Sequence, residues 1–115
     1  MKQSPKSIKP SANFSEERCP VARTLQIIGE RWTILILREL VPRGPLRFQD
    51  LEQSLPGISP TTLSARLKTL EEKGVVSKQL YEEHPPRFEY DLTEKGKELR
   101  FALNALRKWG ERHTG

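Results

Sequence analysis

The stretch GISPTTLSARLKTLEEKG, residues 57–74, decides the fold that we predict for this chain. Ser59 is a favoured N-cap residue and Pro60 a favoured first helical residue, so a helix is expected to begin here. An apolar stripe at helical spacing follows, formed by Leu63, Leu67 and Leu70. Gly74 suits the position just past a helix end. The sequence therefore predicts a helix over about 60–73 with one buried face.

The segments on either side of this helix extend the pattern. FQDLEQSL predicts a shorter helix before it, and PGI turns the chain between the two. After Gly74 the period becomes that of strands, because VVSKQLY is rich in β-formers and RFEYDL alternates. In that alternation the inward residues are expected to be Phe88, Tyr90 and Leu92, and EEHPP is the predicted hairpin tip. Two helices across a turn, followed by a hairpin, are typical of a winged helix-turn-helix, with the wing over about 75–92.

Three further helices and a very short strand, LRF, complete the prediction. CPVARTLQIIG predicts a short helix with Cys19 as its cap and Gly29 at its end. ERWTILILRELV is apolar on nearly all sides, which is typical of a central helix, and PRGP is expected to break it. Thr93 should cap a last helix, whose core stripe is Leu99, Leu103 and Leu106. The fold class is mainly α with a small β-hairpin (α+β).

Length and composition limit the organisation and the partners. With 115 residues, 35% of them hydrophobic, the chain fits one domain, assigned to residues 19–115. Residues 1–18 contain two prolines and four serines without a period and are predicted to form a flexible arm. The net charge of +5 and the pI of about 9.6 favour an anionic partner. A single cysteine permits no intrachain disulfide, which suits the cytoplasm, and TILIL is too short to cross a membrane.

The sequence offers no pattern of an enzyme. It contains no nucleophile–base pair, no glycine-rich phosphate loop and no metal-ligand spacing. The two histidines, His84 and His113, are expected at a hairpin tip and near the C-terminus, which are poor places for a buried general base. We therefore predict no catalytic residues, no metal and no cofactor.

The exposed face of the helix over 60–73 indicates DNA binding. Its side chains are small, hydroxylic or cationic over three turns, and acids come only at the end, as Glu71 and Glu72. A recognition helix enters the major groove with its N-terminal part, where hydroxyls and cations meet base edges and phosphates. The predicted DNA-binding residues of this segment are Ser59, Thr61, Thr62, Ser64, Ala65, Arg66, Lys68 and Thr69.

Other cations are expected near the DNA backbone. Arg47 precedes the first helix of the pair, Lys78 and Arg87 lie on the wing, and His84 lies at its tip. Arg87 is the candidate for insertion into the minor groove, a frequent use of arginine. A cross-strand pair between Arg87 and an acidic neighbour is the alternative, and it stays open here.

Taken together, these stretches make the chain resemble the HxlR-type winged helix-turn-helix transcriptional regulators. The matching pieces are CPV, IGERWTILILREL, GPLRFQDLEQSLPGIS, LSARLKTLEEKGVV and PPRFEYDLTEKG, which cover nearly all of residues 19–113 in the family's order. IGERW stands where members more often have IGGKW, so Glu30 replaces a usual glycine. The resemblance implies a dimeric cytoplasmic regulator of a double-stranded DNA operator, with dimer contacts through the first and last helices and an effector, small molecule or oxidant, that it leaves unassigned.

A dimer also follows from the residues of the last helix. Phe101, Ala105 and Trp109 form a second apolar patch beside the core stripe, and one helix seldom needs two apolar faces unless both are covered. A two-fold partner could cover that patch. Cover by the arm or by the first helix of the same subunit is the alternative.

Two further alternatives stay open at this point. Some members of the family sense oxidants through a cysteine at the position of Cys19, and a helix N-terminus favours a negative group; the competing interpretation is a small, inert residue. A winged helix can also serve as a protein-interaction module without contacting bases.

Overall fold

The computed structural model describes residues 19–115, and the arm predicted for residues 1–18 lies outside them. Four helices and a short strand come before the hairpin: α1 (Pro20–Ile28), α2 (Arg31–Arg43), β1 (Leu46–Arg47), α3 (Phe48–Ser54) and α4 (Pro60–Glu72). The second of these is central, because α2 packs against α1, α3, α4 and β3 (Pro86–Leu92). Its buried side chains are Thr33, Ile36, Leu37 and Leu40.

Local signals in the sequence set both ends of α4. The Ser59 hydroxyl accepts a hydrogen bond from the Thr62 backbone N–H at 3.0 Å, which satisfies one of the unpaired amides of the first turn. After the last turn Gly74 takes a φ of 76°, a conformation that suits glycine. Three leucines, each at most 1% exposed, fix the helix on the core: Leu63, Leu67 and Leu70. The predicted helix over 60–73 agrees with the structure to within one residue.

The sheet has three antiparallel strands in the order β1–β3–β2, where β2 is Val76–Glu83. The predicted five-residue tip is wrong, because Glu82 pairs with Arg87 and Glu83 with Pro86. Strand pairing therefore continues almost to the end of the hairpin. The wing, defined here as β2 and β3 with their turn, thus projects as a long ribbon.

Only the base of the wing reaches the helical core. Leu92 and Val76, which pair across the strands, are 7% and 1% exposed. Phe88 was predicted to face inward, but its side chain is 39% exposed because the hairpin extends past the helices at that point. The strict alternation therefore predicted the strand correctly. It predicted a buried side chain in the outer half of that strand, where Phe88 is exposed.

The C-terminal segment contains two helices, α5 (Glu94–Lys97) and α6 (Leu99–His113), where one continuous helix was predicted. The Thr93 hydroxyl caps α5 as expected, accepting from the Gly96 N–H at 3.0 Å. Gly96 is buried so close to β2 that a Cβ there would clash with the Val75 carbonyl oxygen. This close packing anchors α5, and a single turn residue, Glu98, separates α5 from α6.

Two further details differ from the sequence-based expectation. α2 continues through Pro42 to Arg43 and ends at Gly44, whose N–H donates to the Leu40 carbonyl, so the helix ends inside the PRGP stretch rather than at its first proline. Leu106 was placed on the core stripe of the last helix but is 55% exposed. Leu99 and Leu103 do pack against the core, and α6 then extends beyond it.

Candidate nucleic-acid interface

The exposed face of α4 combines small size with unpaired hydroxyl groups. Thr61, Ser64, Ala65 and Lys68 are all exposed. Within residues 19–115, the hydroxyls of Thr61 and Ser64 form no hydrogen bond. No acid occurs on α4 before its last turn, where Glu71 and Glu72 lie. The face can therefore approach an anionic surface closely and offer it donors.

The other hydroxyls predicted on this face are engaged within the protein. Ser59 Oγ donates to Thr62 Oγ1 at 2.9 Å while it caps the helix, and Thr69 Oγ1 donates to the Ala65 carbonyl at 3.1 Å. The side chains of Ser59, Thr62 and Thr69 are thus hydrogen-bonded within the α4 segment itself in the free protein. Their predicted contacts with DNA stay predictions.

Arg66, one of the residues predicted to bind DNA, is paired with a carboxylate outside α4. Its Nε atom lies 3.4 Å from Glu30 Oε1, at the N-cap of α2, and both side chains are about one-third exposed. Glu30 was missed as part of the site. Glutamate is not among the favoured N-cap residues, so nothing local indicated that Glu30 caps α2 or that this cap faces α4.

Two cations lie over aromatic rings of the wing. The guanidinium of Arg47, at the end of β1, lies 4.2 Å from the ring centroid of Tyr81, and the ammonium of Lys78 lies 4.5 Å from that of Phe88. Such contacts hold a long cationic side chain against the surface while its charge remains exposed. Tyr81 is the second site residue that the sequence missed. It lies at the register shift of β2, where alternation no longer predicts direction.

Arg87 adopts the cross-strand pair that was the alternative to minor-groove insertion. Its Nε lies 3.1 Å from Glu82 Oε1, and both side chains are half-exposed. An exposed ion pair of this kind contributes little stability and exchanges easily with another anion. His84 occupies the tip, with its side chain 94% exposed and Nε2 4.0 Å from Glu83 Oε1.

Apolar side chains are also exposed, on α1 and α6. On α6 the exposed side chains include Phe101 (66%) and Trp109 (56%), with Ala105 also exposed, and on α1 they include Val21 and Leu25. A groove of about 510 Å³ runs between α2 and α6. Its lining includes Ile34, Leu35, Val41, Leu103 and Leu106, with arginines at its edge.

Cys19 lies at the start of α1 and is exposed. It is the N-cap of that helix, but its side chain forms no capping hydrogen bond. Within residues 19–115, no cluster of three or more histidine, cysteine or acidic side chains is arranged to hold a metal ion. No helix in the same part of the chain is both long and apolar enough to span a bilayer.

A central helix, a helix-turn-helix and a two-stranded wing together define a winged-helix DNA-binding regulator. The family model described as HxlR-like helix-turn-helix matches residues 27–115. The chain belongs to this family, whose members are transcriptional regulators. Cys19 lies outside the matched residues.

Individual relatives agree with this assignment. The HTH-type transcriptional regulator sll1512 of Synechocystis sp. is 41% identical over 92 residues, which are 80% of this chain and 67% of that protein. A crystal structure described as a MarR-family transcriptional regulator from Porphyromonas gingivalis W83 has a TM-score of 0.78 and 37% identity, covering 84% of this chain and 94% of the other. The redox regulator HypR in its reduced form has a TM-score of 0.76 and 33% identity, covering 81% and 91%.

Proposed function

We propose that this regulator acts in the cytoplasm as a homodimer that binds an inverted-repeat operator in double-stranded DNA. In each half-site α4 enters the major groove, and the wing lies against the backbone or the minor groove. The observation that carries the proposal is the exposed face of α4, where unpaired hydroxyls, an alanine and Lys68 lie together without an acid until the last turn. Such a surface suits close approach to base edges and phosphates.

Several cations support the placement of the wing. Arg47 and Lys78 are fixed over aromatic rings, and Arg87 is held by an exposed carboxylate that a phosphate could replace. Phosphate contacts of this kind orient a protein on the duplex without selecting a sequence. We assign Arg47, Lys78, His84 and Arg87 to this positioning role, and Thr61, Thr62, Ser64, Arg66 and Lys68 to the major groove.

The homodimer is supported by the apolar surface on α1 and α6. Phe101 and Trp109 expose more than half of their side chains to water, together with Leu106 and the two apolar residues of α1. Exposed apolar side chains that recur along one face of a helix are typical of an interaction surface. A two-fold partner would cover the same patch on both subunits and place two α4 helices for successive major grooves.

Selection of duplexes from a random pool, followed by footprinting, tests the proposal. We expect an inverted repeat with half-site centres about one helical turn, or a multiple of it, apart. Arg66→Ala and Thr62→Ala should lower the ratio of operator to random-DNA affinity, whereas Lys108→Ala, an exposed cation on α6, should not. Equal losses on both DNAs for the α4 variants would show that this helix does not contact bases.

The same experiment separates DNA binding from a protein-interaction module. A module without base contacts would enrich no sequence and would bind all duplexes with the same salt dependence, because only the charge would act. The exposed face of α4, free of acids in its first three turns, favours the DNA-binding function over that alternative.

Cys19 gives the regulator a candidate for thiol-based sensing. The favourable observation is its exposure at the start of α1, next to the surface proposed for the dimer, together with the likeness to a redox regulator. A single thiol would have to bridge two chains or accept a small thiol. If Cys19 is a sensor, diamide should weaken operator binding by the parent and should leave operator binding by Cys19→Ser unchanged. An inert Cys19 predicts that diamide has no effect on either.

A further inference from the structure

One carboxylate oxygen connects the start of α2 to the helix proposed for the major groove. Glu30 Oε1 accepts hydrogen bonds from Thr33, from its backbone N–H at 2.9 Å and from its hydroxyl at 3.3 Å. The same oxygen lies 3.4 Å from Arg66 Nε. Thr33 is 3% exposed, so the carboxylate is fixed from below by a buried side chain.

The pairing leaves the two edges of the Arg66 guanidinium in different states. Nε is shielded from solvent and has no hydrogen-bond partner in the described chain, so its contact with Glu30 is an ion pair rather than an aligned hydrogen bond. The terminal nitrogens are not shielded in this way, and they form no hydrogen bond within residues 19–115. The edge formed by the two terminal nitrogens is therefore the available one, and it could form two parallel hydrogen bonds with a guanine.

We propose that Glu30 is a positioning residue that makes Arg66 selective for its base. This inference rests on the proposed function, in which α4 enters the major groove. An arginine on a mobile stem can bind any phosphate, and that contact carries no sequence information. Glu30 restricts the rotamers of Arg66 and offsets its charge. A contact between Arg66 and a phosphate of non-operator DNA therefore contributes less binding free energy. A well-placed base still gains both hydrogen bonds.

Glu30 also caps α2, and a test must separate the two roles. Serine is a favoured N-cap residue, but its side chain is too short to reach Arg66. Glu30→Ser therefore retains a cap for α2 and removes the ion pair. Glu30→Gln retains the length and a carbonyl acceptor for Thr33 and removes only the charge. Thermal unfolding of both variants should stay close to that of the parent, which shows that the fold is intact.

The experiment measures affinity for the selected operator and for a scrambled duplex, at several salt concentrations, for the parent and four variants. These are Glu30→Ser, Glu30→Gln, Arg66→Ala and the double variant Glu30→Ser/Arg66→Ala. We expect Glu30→Ser to bind the scrambled duplex more tightly than the parent does. For Glu30→Ser, the ratio of operator affinity to scrambled-duplex affinity should fall about five- to tenfold. A change of this size lies within the discrimination that one bidentate base contact provides. Arg66→Ala should instead weaken operator binding.

Two signatures identify positioning. Single base-pair substitutions in the operator should show that Glu30→Ser and Arg66→Ala lose preference at the same base pairs. The double variant should discriminate no worse than Arg66→Ala alone, since Glu30 acts through that side chain.

The outcomes also distinguish this inference from the proposed function. Unchanged discrimination by Glu30→Ser, with discrimination lost in Arg66→Ala, would overturn the positioning role and leave the function of α4 intact. Unchanged discrimination by Arg66→Ala, with a loss in Thr62→Ala, would overturn it as well, because Arg66 would then select no base. Failure of the parent to enrich any sequence would overturn the proposed function itself and this inference with it.

Discussion

Helices α4 and α6 carry the same leucine spacing and have opposite burial. In α4, Leu63 and Leu70 are 0% exposed and Leu67 is 1% exposed. In α6, the equivalent stripe of Leu99, Leu103 and Leu106 ends on a residue that is 55% exposed, and no residue of the helix is buried. The spacing shows that a face is apolar. It does not show what covers that face.

The difference in burial is the reason why we propose different partners for the two helices. The core of the same subunit covers one face of α4 completely, and the opposite face is small, polar and suited to DNA. The core covers α6 only in part, and the remaining surface is large and apolar. The uncovered aromatic side chains of α6 are the surface on which we propose that a second subunit packs. The following predictions test this contrast, beginning with the largest effect.

Truncation of the equivalent leucines should give very different stability losses. Leu67→Ala removes a side chain that is 1% exposed and should lower the free energy of unfolding by about 2–5 kcal/mol. Leu106→Ala should cost less than about 0.5 kcal/mol in the isolated subunit, as is usual for exposed positions. Urea unfolding at low protein concentration measures both. A loss for Leu106→Ala as large as that for Leu67→Ala at the lowest concentration would refute the contrast.

A charge on the uncovered face of α6 should break the dimer and leave the subunit folded. Phe101→Glu would bury a carboxylate against apolar surface, so we expect the dissociation constant of the dimer to rise at least about tenfold. Thr61→Glu is the matched control on α4: it should dimerise like the parent and lose DNA binding, because its charge faces the phosphates. Light scattering over micromolar concentrations measures the assembly. Equal dimerisation by both variants would remove the proposed role of α6.

Local signals predicted most of the fold, and they failed where distant segments meet. Ser59, Gly74 and Thr93 marked helix ends correctly, because caps depend on neighbouring backbone groups alone. The exposure of Leu106 and of Phe88 could not be predicted, since periodicity does not state where the core ends.

The candidate site also has features that the sequence predicted and contacts that it did not. Small and cationic residues of α4 were visible in the sequence as an exposed face. The contact of Glu30 with Arg66 depends on how α2 packs against α4, and that of Arg47 with Tyr81 depends on the register shift of β2. Contacts between elements of this kind have no local sequence signal, although they set the direction of the side chains that we propose bind DNA.

A smaller effect is expected on the wing. Arg87→Ala should weaken binding to operator and random DNA equally and should lower the salt slope by about 1, since one phosphate contact is lost. Glu82→Gln releases Arg87 from its ion pair and should strengthen binding to both duplexes. Neither change should alter stability much, because the pair is half-exposed. Sequence-dependent losses for Arg87→Ala would instead assign that side chain to base contacts.

The smallest predicted effect concerns Tyr90, at the junction of α4 with the wing. Burial raises the pKa of the Tyr90 phenol above its usual value of 10.0, and the negative charge of Glu71, in the last turn of α4, raises that pKa further. The native phenol therefore retains its proton at pH values where the unfolded chain has lost it. The free energy of unfolding should consequently fall as pH rises above about 10, and Tyr90 should add no pH dependence below that value.

Tyr90→Phe removes this titration, so the difference in unfolding free energy between parent and variant should change only in the alkaline range, in favour of the variant. Glu71→Gln should lose less unfolding free energy at alkaline pH than the parent does. It removes the smaller cause of the raised Tyr90 pKa, the Glu71 charge, and leaves the larger cause, burial. Urea unfolding of the three proteins between pH 8 and about pH 11 gives the comparison, and titration of lysines common to all three cancels in the differences. Parallel curves for parent and Tyr90→Phe would mean that water reaches the phenol in solution, and hence that α4 packs less closely against the wing than against α2.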